Sequence, residues 1–391
     1  MSRPKFLIFS ADLDGNAAGF VLRNLVFALA KLADLDVVTP LFCNDSSTPP
    51  DNIRIIYSGH YHAHRWRTVD RYWRLYHCNP SDILWYLKAR MRIWKSIRHV
   101  KYDVVITLSS SISIPAIMLG KHYSDKWGLD WYIYSVDALP SPIEWMEGFY
   151  RSHNRIARYI DKLCKSASIF YLSNYRMAEY EKKVCKRFQG KWGWLYTSPR
   201  SWIPCPVQEH QGVNILYTGA LYGKRSVRGL IEALSSLSEK RKDIKIVFVG
   251  DIAPAFVDEL KKLTSQGIAE ILPFHSNLDS FYAVSDILLD IGGDMDNDIF
   301  LSSKLISYLP LERPILAISG VPSPARDVAK DCVSIVHARN DGAEIEEGIL
   351  KCIQLIGKNI DDRTSLLEEF KIETTALKLF NDILNESSLD H

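Results

Sequence analysis

Short apolar runs, rich in β-branched and aromatic residues, alternate with helical patterns along almost all of this 391-residue chain, and no other feature restricts its fold as tightly. In the first half the runs are Phe6–Phe9, Leu35–Val38, Ile53–Tyr57, Asp103–Leu108, Trp131–Ser135 and Ile169–Leu172. In the second half they are Val213–Tyr217, Ile244–Val249, Glu270–Pro273, Ile287–Asp290, Pro314–Ile318 and Val333–Val336. Strand runs that are apolar throughout are buried on both faces, and helices between them make the sheets parallel. Six strands in each half predict an α/β protein of two Rossmann-like, doubly wound domains. Ligands of such sheets bind at the carboxyl ends of the strands, so the expected site is a cleft across which the two domains face each other.

The pattern breaks at Thr197–Gly212, T-S-P-R-S-W-I-P-C-P-V-Q-E-H-Q-G, where Pro199, Pro204 and Pro206 disfavour both helix and central strand. The expected division is therefore 1–200 for a first domain and 201–360 for a second. Residues 361–391 form a helix long enough to pack back on the first domain.

No apolar stretch reaches the roughly 18 residues of a membrane span, and Met1-Ser2-Arg3-Pro4-Lys5 runs straight into the first strand without a leader. The seven cysteines contain no C-x-x-C pair, which argues against a zinc site or disulfide framework and for a reducing cytoplasm.

The net charge of +2 conceals an asymmetry. Between His60 and Lys101 ten Lys or Arg accompany two Asp, so this stretch carries +8 and the remainder −6. Arg67, Arg71, Trp73 and Arg74 open it, and I-L-W-Y-L-K-A-R-M-R-I-W-K-S-I-R closes it. In that last segment Leu84, Leu87, Met91 and Trp94 share one helical face, with Lys88, Arg92 and Lys95 beside it. Such a helix either lies on the anionic inner face of the cell membrane or buries its apolar side and leaves its cations in water. The acidic remainder and the lack of a nucleic-acid motif exclude nucleic acid as the partner.

Three loops of the second half are suited to an anion. T-G-A-L-Y-G-K-R-S follows Val213–Tyr217, and in it Gly219 admits close backbone approach while Lys224 and Arg225 supply positive charge. F-V-G-D places Gly250 and Asp251 after the next strand. The third loop follows S-D-I-L-L-D-I-G-G-D, where L-S-S-K-L-I-S-Y-L-P sets Ser302, Ser303 and Lys304 at the start of a short helix. Together they predict a nucleotide-diphosphate ligand.

Y-T-G-A-L-Y-G-K-R-S, I-V-F-V-G-D, I-L-P-F-H-S-N, F-Y-A-V-S-D-I-L-L-D and S-S-K-L-I-S-Y-L-P-L-E-R-P-I-L-A resemble, in order and spacing, the donor domain of family-4-type (group 1) glycosyltransferases with the GT-B fold. The resemblance covers Val213 to Ile318 and is looser over the first half. It implies a nucleotide-sugar donor and no cofactor. Gly219, Lys224 and Arg225 would hold the diphosphate, Ser302, Ser303 and Lys304 would cradle it from the opposite loop, and Gly250 and Asp251 would lie near the nucleoside. In the first half Gly15 and Asn16 would approach the donor phosphates.

This chain departs from the pattern at Ser307, where the family has a ribose-gripping glutamate, and at Ile299, where it has a partner acid. Asp290, Asp294, Asp296 and Asp298 are the available substitutes. D-M-D at Asp294–Asp296 reads as a solvated or sugar-facing loop, not a metal site. Ser109-Ser110-Ser111 stand where the family often has a histidine. The implied reaction keeps the donor's anomeric configuration and rests on positioning and leaving-group stabilisation. Asp137, in Y-S-V-D-A-L-P, is the catalytic candidate, with a turn cap before Pro140 as its bland alternative. Glu144 and Glu147 rank behind it.

The expected protein is a metal-independent hexosyltransferase acting on a glycan or polyprenyl-linked acceptor in surface polysaccharide biosynthesis. Two other readings are a nucleotide-sugar epimerase of the same shape, using Glu232, Asp290 and His275, and a non-catalytic partner subunit.

Overall fold

The structure, a computed structural model, describes residues 3–10, 13, 17–40, 49–59, 80–110, 114–145, 150–199 and 205–387. Two compact units make up the chain: Met1–Thr197 with Lys371–His391, and Ser198–Phe370.

In the first unit the strands are Lys5–Ser10 (β1), Asp34–Thr39 (β2), Ile53–Tyr57 (β3), Val104–Ser109 (β4), Asp130–Ser135 (β5), Ile169–Leu172 (β6) and Lys191–Trp194 (β7). They form one sheet in the order β3-β2-β1-β4-β5-β6-β7, and every pairing is parallel. The helices are Ala17–Ala30 (α1), Pro80–Ile97 (α2), Ile114–Trp127 (α3), Tyr150–Leu163 (α4) and Tyr175–Val184 (α5).

The seventh strand is absent from the sequence reading. Its K-W-G-W has neither a continuous apolar run nor strict alternation, and it sits at the sheet edge, where Trp192 stacks on Phe170 at 5.2 Å between ring centres. Gly193 is required there, because a Cβ would lie 2.7 Å from the Tyr171 ring.

The second unit holds Val213–Thr218 (β8), Ile244–Val249 (β9), Ala269–Leu272 (β10), Ile287–Ile291 (β11), Ile315–Ile318 (β12) and Ile335–Ala338 (β13), ordered β10-β9-β8-β11-β12-β13 and again wholly parallel. Its helices are Arg228–Lys240 (α6), Pro254–Ser265 (α7), Asp279–Ala283 (α8), Ser303–Tyr308 (α9), Pro324–Val328 (α10), Gly342–Leu355 (α11) and Thr364–Glu369 (α12). Each of the six strands overlaps one of the six apolar runs of the second half, the last shifted by two residues from Val333–Val336. Both sheets follow the doubly wound order, with the direction of strand addition reversing between β1 and β4 and between β8 and β11.

The return to the first unit is made by Ile372–Ser387 (α13), not from residue 361. Residues up to Phe370 stay with the second unit because the guanidinium of buried Arg363 donates to the carbonyls of Leu311, Arg313 and Ser334 at 3.1, 2.7 and 2.9 Å. Along α13, Ala376, Leu379 and Ile383 join the core formed by Leu22, Leu25, Val26 and Leu29 of α1. Polar contacts hold its rim: the Tyr171 hydroxyl donates to Asp382 at 2.8 Å, Thr375 to the Tyr196 carbonyl at 3.0 Å, and Lys31 pairs with Glu373 at 2.8 Å.

Leu379 is fully buried, so Leu379→Ala is expected to cost about 2–5 kcal/mol in urea unfolding. A change below about 0.5 kcal/mol would show that α13 adds little to that core.

Candidate functional site

Adjacent pairing of β8 with β11, Ile287 opposite Ile215 and Leu288 opposite Leu216, brings the loops beyond Thr218 and Ile291 side by side. These loops carry most of the residues singled out in the second half. Gly219 adopts φ +92°, and its N–H donates to the Val249 carbonyl at 2.7 Å. Gly250, at φ +149°, comes so close to Gly219 that a Cβ on it would collide with the Gly219 carbonyl group, 2.6 Å from its carbon. The chain then continues as a parallel bridge between Leu221 and Ile252, with the Leu221 N–H donating to the Asp251 carbonyl at 3.0 Å. Glycine is needed at 219 for a second reason: its missing side chain leaves space for Lys304, whose Cε would stand 3.1 Å from a Cβ there.

Lys304 arises from the six-residue helix α9, too short for a strong dipole, so charge at this edge comes chiefly from side chains. Its ammonium lies 5.2 Å from the centre of the Tyr217 ring. Burial, and next the positive charge of Arg225, lower the Lys304 pKa to about 8, while Asp290 opposes the shift. Arg225 is anchored by donating Nε to the Ile291 carbonyl at 3.0 Å and Nη1 to the Tyr222 carbonyl at 3.1 Å, with its guanidinium 4.8 Å over the Tyr222 ring. Lys224 is exposed, and its carbonyl accepts from the Asp294 N–H at 2.8 Å. The structure thus brings Gly219, Gly250, Arg225 and Lys304 together, with Lys224, Asp251 and Ser303 exposed at the margin.

Asp290 is buried at the end of β11, and Ser302 donates to it at 2.5 Å. Burial raises the Asp290 pKa, opposed by that hydrogen bond and by Lys304 and Arg225. Asp298, also buried, accepts from the N–H groups of Gly293 and Phe300 at 3.2 and 2.9 Å and so folds the loop back on itself. Asp294 accepts from Asn340 at 2.9 Å, and Asp296 is exposed. Among the described residues no cluster of three or more His, Cys, Asp or Glu has the geometry to hold a metal.

One contact at these loops has no signal in the sequence. The Tyr308 hydroxyl accepts from the Thr218 N–H at 2.9 Å and also bonds the Thr218 hydroxyl at 2.9 Å, tying the end of β8 to α9. An aromatic on the apolar side of a short helix reads as core, and nothing in the sequence signals its hydroxyl's partner.

In the first unit, Asp137 is half-buried just beyond β5, and its carbonyl accepts from the Ser135 hydroxyl at 2.6 Å. The buried Glu181 carboxyl accepts from the Leu139 N–H and supports the same turn; burial raises its pKa well above the usual range. Ser109 and Ser110 are buried, and the first donates to the second's carbonyl at 3.2 Å. Gly15, Asn16, Arg67, Arg71, Trp73, Arg74, Ser111 and Glu147 lie outside the described residues.

The basic helix α2 divides the face that the sequence suggests. Its core face is Trp85, Ala89, Ile93 and Ile97, whereas Leu84, Leu87 and Met91 remain 47%, 41% and 69% exposed. Trp94 does not share that exposure: it stacks against Tyr123 and Trp127 of α3, with the Lys126 ammonium 3.6 Å over its ring. Lys88, Arg92 and Lys95 are exposed.

For the epimerase alternative, Glu232 is engaged by Arg228 at 3.1 Å and His275 contacts the Pro273 carbonyl at 2.8 Å, so neither contact draws them toward Asp290.

The sequence matches no protein-family model and no curated protein. Solved structures do match over the whole chain. HepE from Anabaena in complex with UDP and glucose is 11% identical, with 98% of this chain and 100% of that chain covered and a TM-score of 0.64. A sucrose-phosphate synthase from Thermosynechococcus elongatus is 12% identical over 99% and 100%, at 0.68. The lipopolysaccharide outer core galactosyltransferase WaaB is 14% identical over 98% and 99%, at 0.61.

The Gly250–Gly219 approach leaves no space for a side chain, so Gly250→Ala is expected to destabilise the protein by about 1–3 kcal/mol in urea unfolding. An unchanged midpoint would mean that the two turns part easily. Strand order, the two parallel sheets and these whole-chain matches together establish that the chain has the GT-B fold.

Proposed function

We propose that the protein is a glycosyltransferase that moves a sugar from a nucleotide-diphosphate sugar to a glycan or lipid-linked glycan, with retention of configuration and no metal. One observation carries the reading: Lys304 passes over the side-chain-free Gly219 beside Arg225, concentrating two positive charges at the carboxyl edge where the strand order reverses. Two cations in one site repel each other, Asp290 offsets that only in part, and a diphosphate supplies further negative charge. HepE also occurs in complex with UDP-glucose, which supports a nucleotide-sugar donor here.

Arg225 and Lys304 then stabilise the leaving diphosphate as the sugar–phosphate bond breaks, and the freed phosphate oxygen takes the acceptor's proton. Gly219 and Gly250 let the backbone approach the ligand, with Lys224, Asp251 and Ser303 at the margin. Asp137 is the proposed catalytic residue of the first unit. Asp290 and Ser302 serve the site from behind.

Calorimetry with UDP and GDP tests this assignment. Lys304→Ala and Arg225→Ala are each expected to lose roughly 2–5 kcal/mol of affinity for the preferred nucleotide. For the unaltered protein the affinity should be full below pH 8, where Lys304 is charged, and fall as pH rises through about 8. Undiminished binding in both variants would remove the diphosphate from this place, and no binding by any form would favour the non-catalytic reading.

The acceptor side is proposed to contact an anionic membrane through α2, in a cytoplasmic protein peripheral to the inner face. Leu84, Leu87 and Met91 form an outward apolar stripe, and at 100° per residue Lys88, Lys95 and Arg98 fall within about 40° of it. Among the described residues no helix is long and apolar enough to cross a membrane, so contact by this route is peripheral. Leu87→Glu with Met91→Glu is expected to weaken sedimentation with phosphatidylglycerol vesicles by about tenfold or more, with neutral vesicles binding neither form. Equal sedimentation of both forms would assign the stripe another role.

A further inference from the structure

We propose that Asp290 is a positioning residue of the diphosphate site, acting through Ser302 and Lys304 without touching the ligand. The inference rests on the placement of the diphosphate given above. A serine hydroxyl has one hydrogen, and a carboxylate can only accept. The 2.5 Å contact between Ser302 Oγ and Asp290 Oδ1 therefore uses the Ser302 hydrogen. The same oxygen accepts from the Lys304 main-chain N–H at 3.2 Å and caps α9. Ser302 thus has no hydrogen left to offer a phosphate oxygen, although its position in the loop suggests that task. Its work is to set the first turn of the helix from which Lys304 projects.

Asp290 contributes a second effect through charge. Three elements face the Lys304 ammonium: β8 with the Tyr217 ring, the loop after it with Arg225, and β11 with Asp290. On its own helix, Tyr308 is turned to Thr218. Asp290 is the one carboxylate acting on Lys304 in this set, and it interacts with Arg225 as well. Without it, two cations would confront each other in a half-buried place, and the ammonium would give up its proton more readily. A diphosphate can then displace little water and still meet a charged lysine already held in place.

The test is UDP affinity measured by calorimetry across pH for the unaltered protein, Asp290→Asn and Lys304→Ala, with folding checked by circular dichroism. Asp290→Asn keeps an acceptor for Ser302 but removes the charge. The midpoint at which affinity falls, near pH 8 in the unaltered protein, is expected to move down by roughly one unit. A folded Asp290→Asn protein whose midpoint stays in place would overturn the proposal. Should that variant not fold, Ser302→Ala decides: roughly fivefold weaker UDP binding at pH 7 supports the positioning role through the cap, and full affinity overturns it. Lys304→Ala separates the two levels. If it binds UDP as the unaltered protein does, the site itself is misplaced; if it binds weakly while the Asp290→Asn midpoint is unmoved, only the role of Asp290 fails.

Discussion

The pairing of β8 with β11 governs everything at the candidate site. Parallel strands can be neighbours in space only if long crossovers connect them, and here Leu288 stands 72 positions after Leu216, its partner in the sheet. At that seam one crossover leaves toward β9 and the next toward β12, so the direction of strand addition reverses there. Thr218 and Ile291 open into loops that share one small space. The Tyr308 hydroxyl on Thr218 and the Arg225 guanidinium on the Ile291 carbonyl then fix the two loops to each other.

Charge at that seam is balanced narrowly. Arg225 and Lys304 repel, Asp290 attracts both, and burial opposes ionisation of the lysine and the aspartate alike. The balance places one carboxylate between the two cations. It explains why the short helix α9 matters less for its dipole than for the direction in which it sends Lys304. Three of the acids offered as substitutes for a ribose-binding glutamate have partners in this loop: Asp298 accepts from the Gly293 N–H, Asp294 from Asn340, and Asp290 from Ser302.

Helix α2 shows how one sequence can support two apolar faces. Trp85, Ala89, Ile93 and Ile97 recur every four residues and enter the core, while Leu84, Leu87 and Met91 recur at three and four and stay outside. Seen in sequence alone, the second set has the better periodicity with flanking cations, and Trp94 extends it. Trp94 leaves the stripe because α3 offers it Tyr123, Trp127 and Lys126, an aromatic and cationic surface that no local pattern in residues 83–98 reveals.

By itself the sequence determined the parallel α/β class, all six strands of the second unit and the glycine and cation positions that meet at β8 and β11. Those features follow from local causes: apolar runs make buried strands, and glycine permits φ values closed to other residues. The edge strand Lys191–Trp194 was illegible because it is stabilised by Phe170 and Tyr171 across the sheet and not by its own pattern. Tertiary structure alone decided that the Ser302 hydrogen goes to Asp290, that Tyr308 reaches Thr218, and that Arg363 keeps residues up to Phe370 with the second unit. Each depends on which partner stands within about 3 Å, and chain order does not encode that distance when the partners are 12, 90 or 50 residues apart.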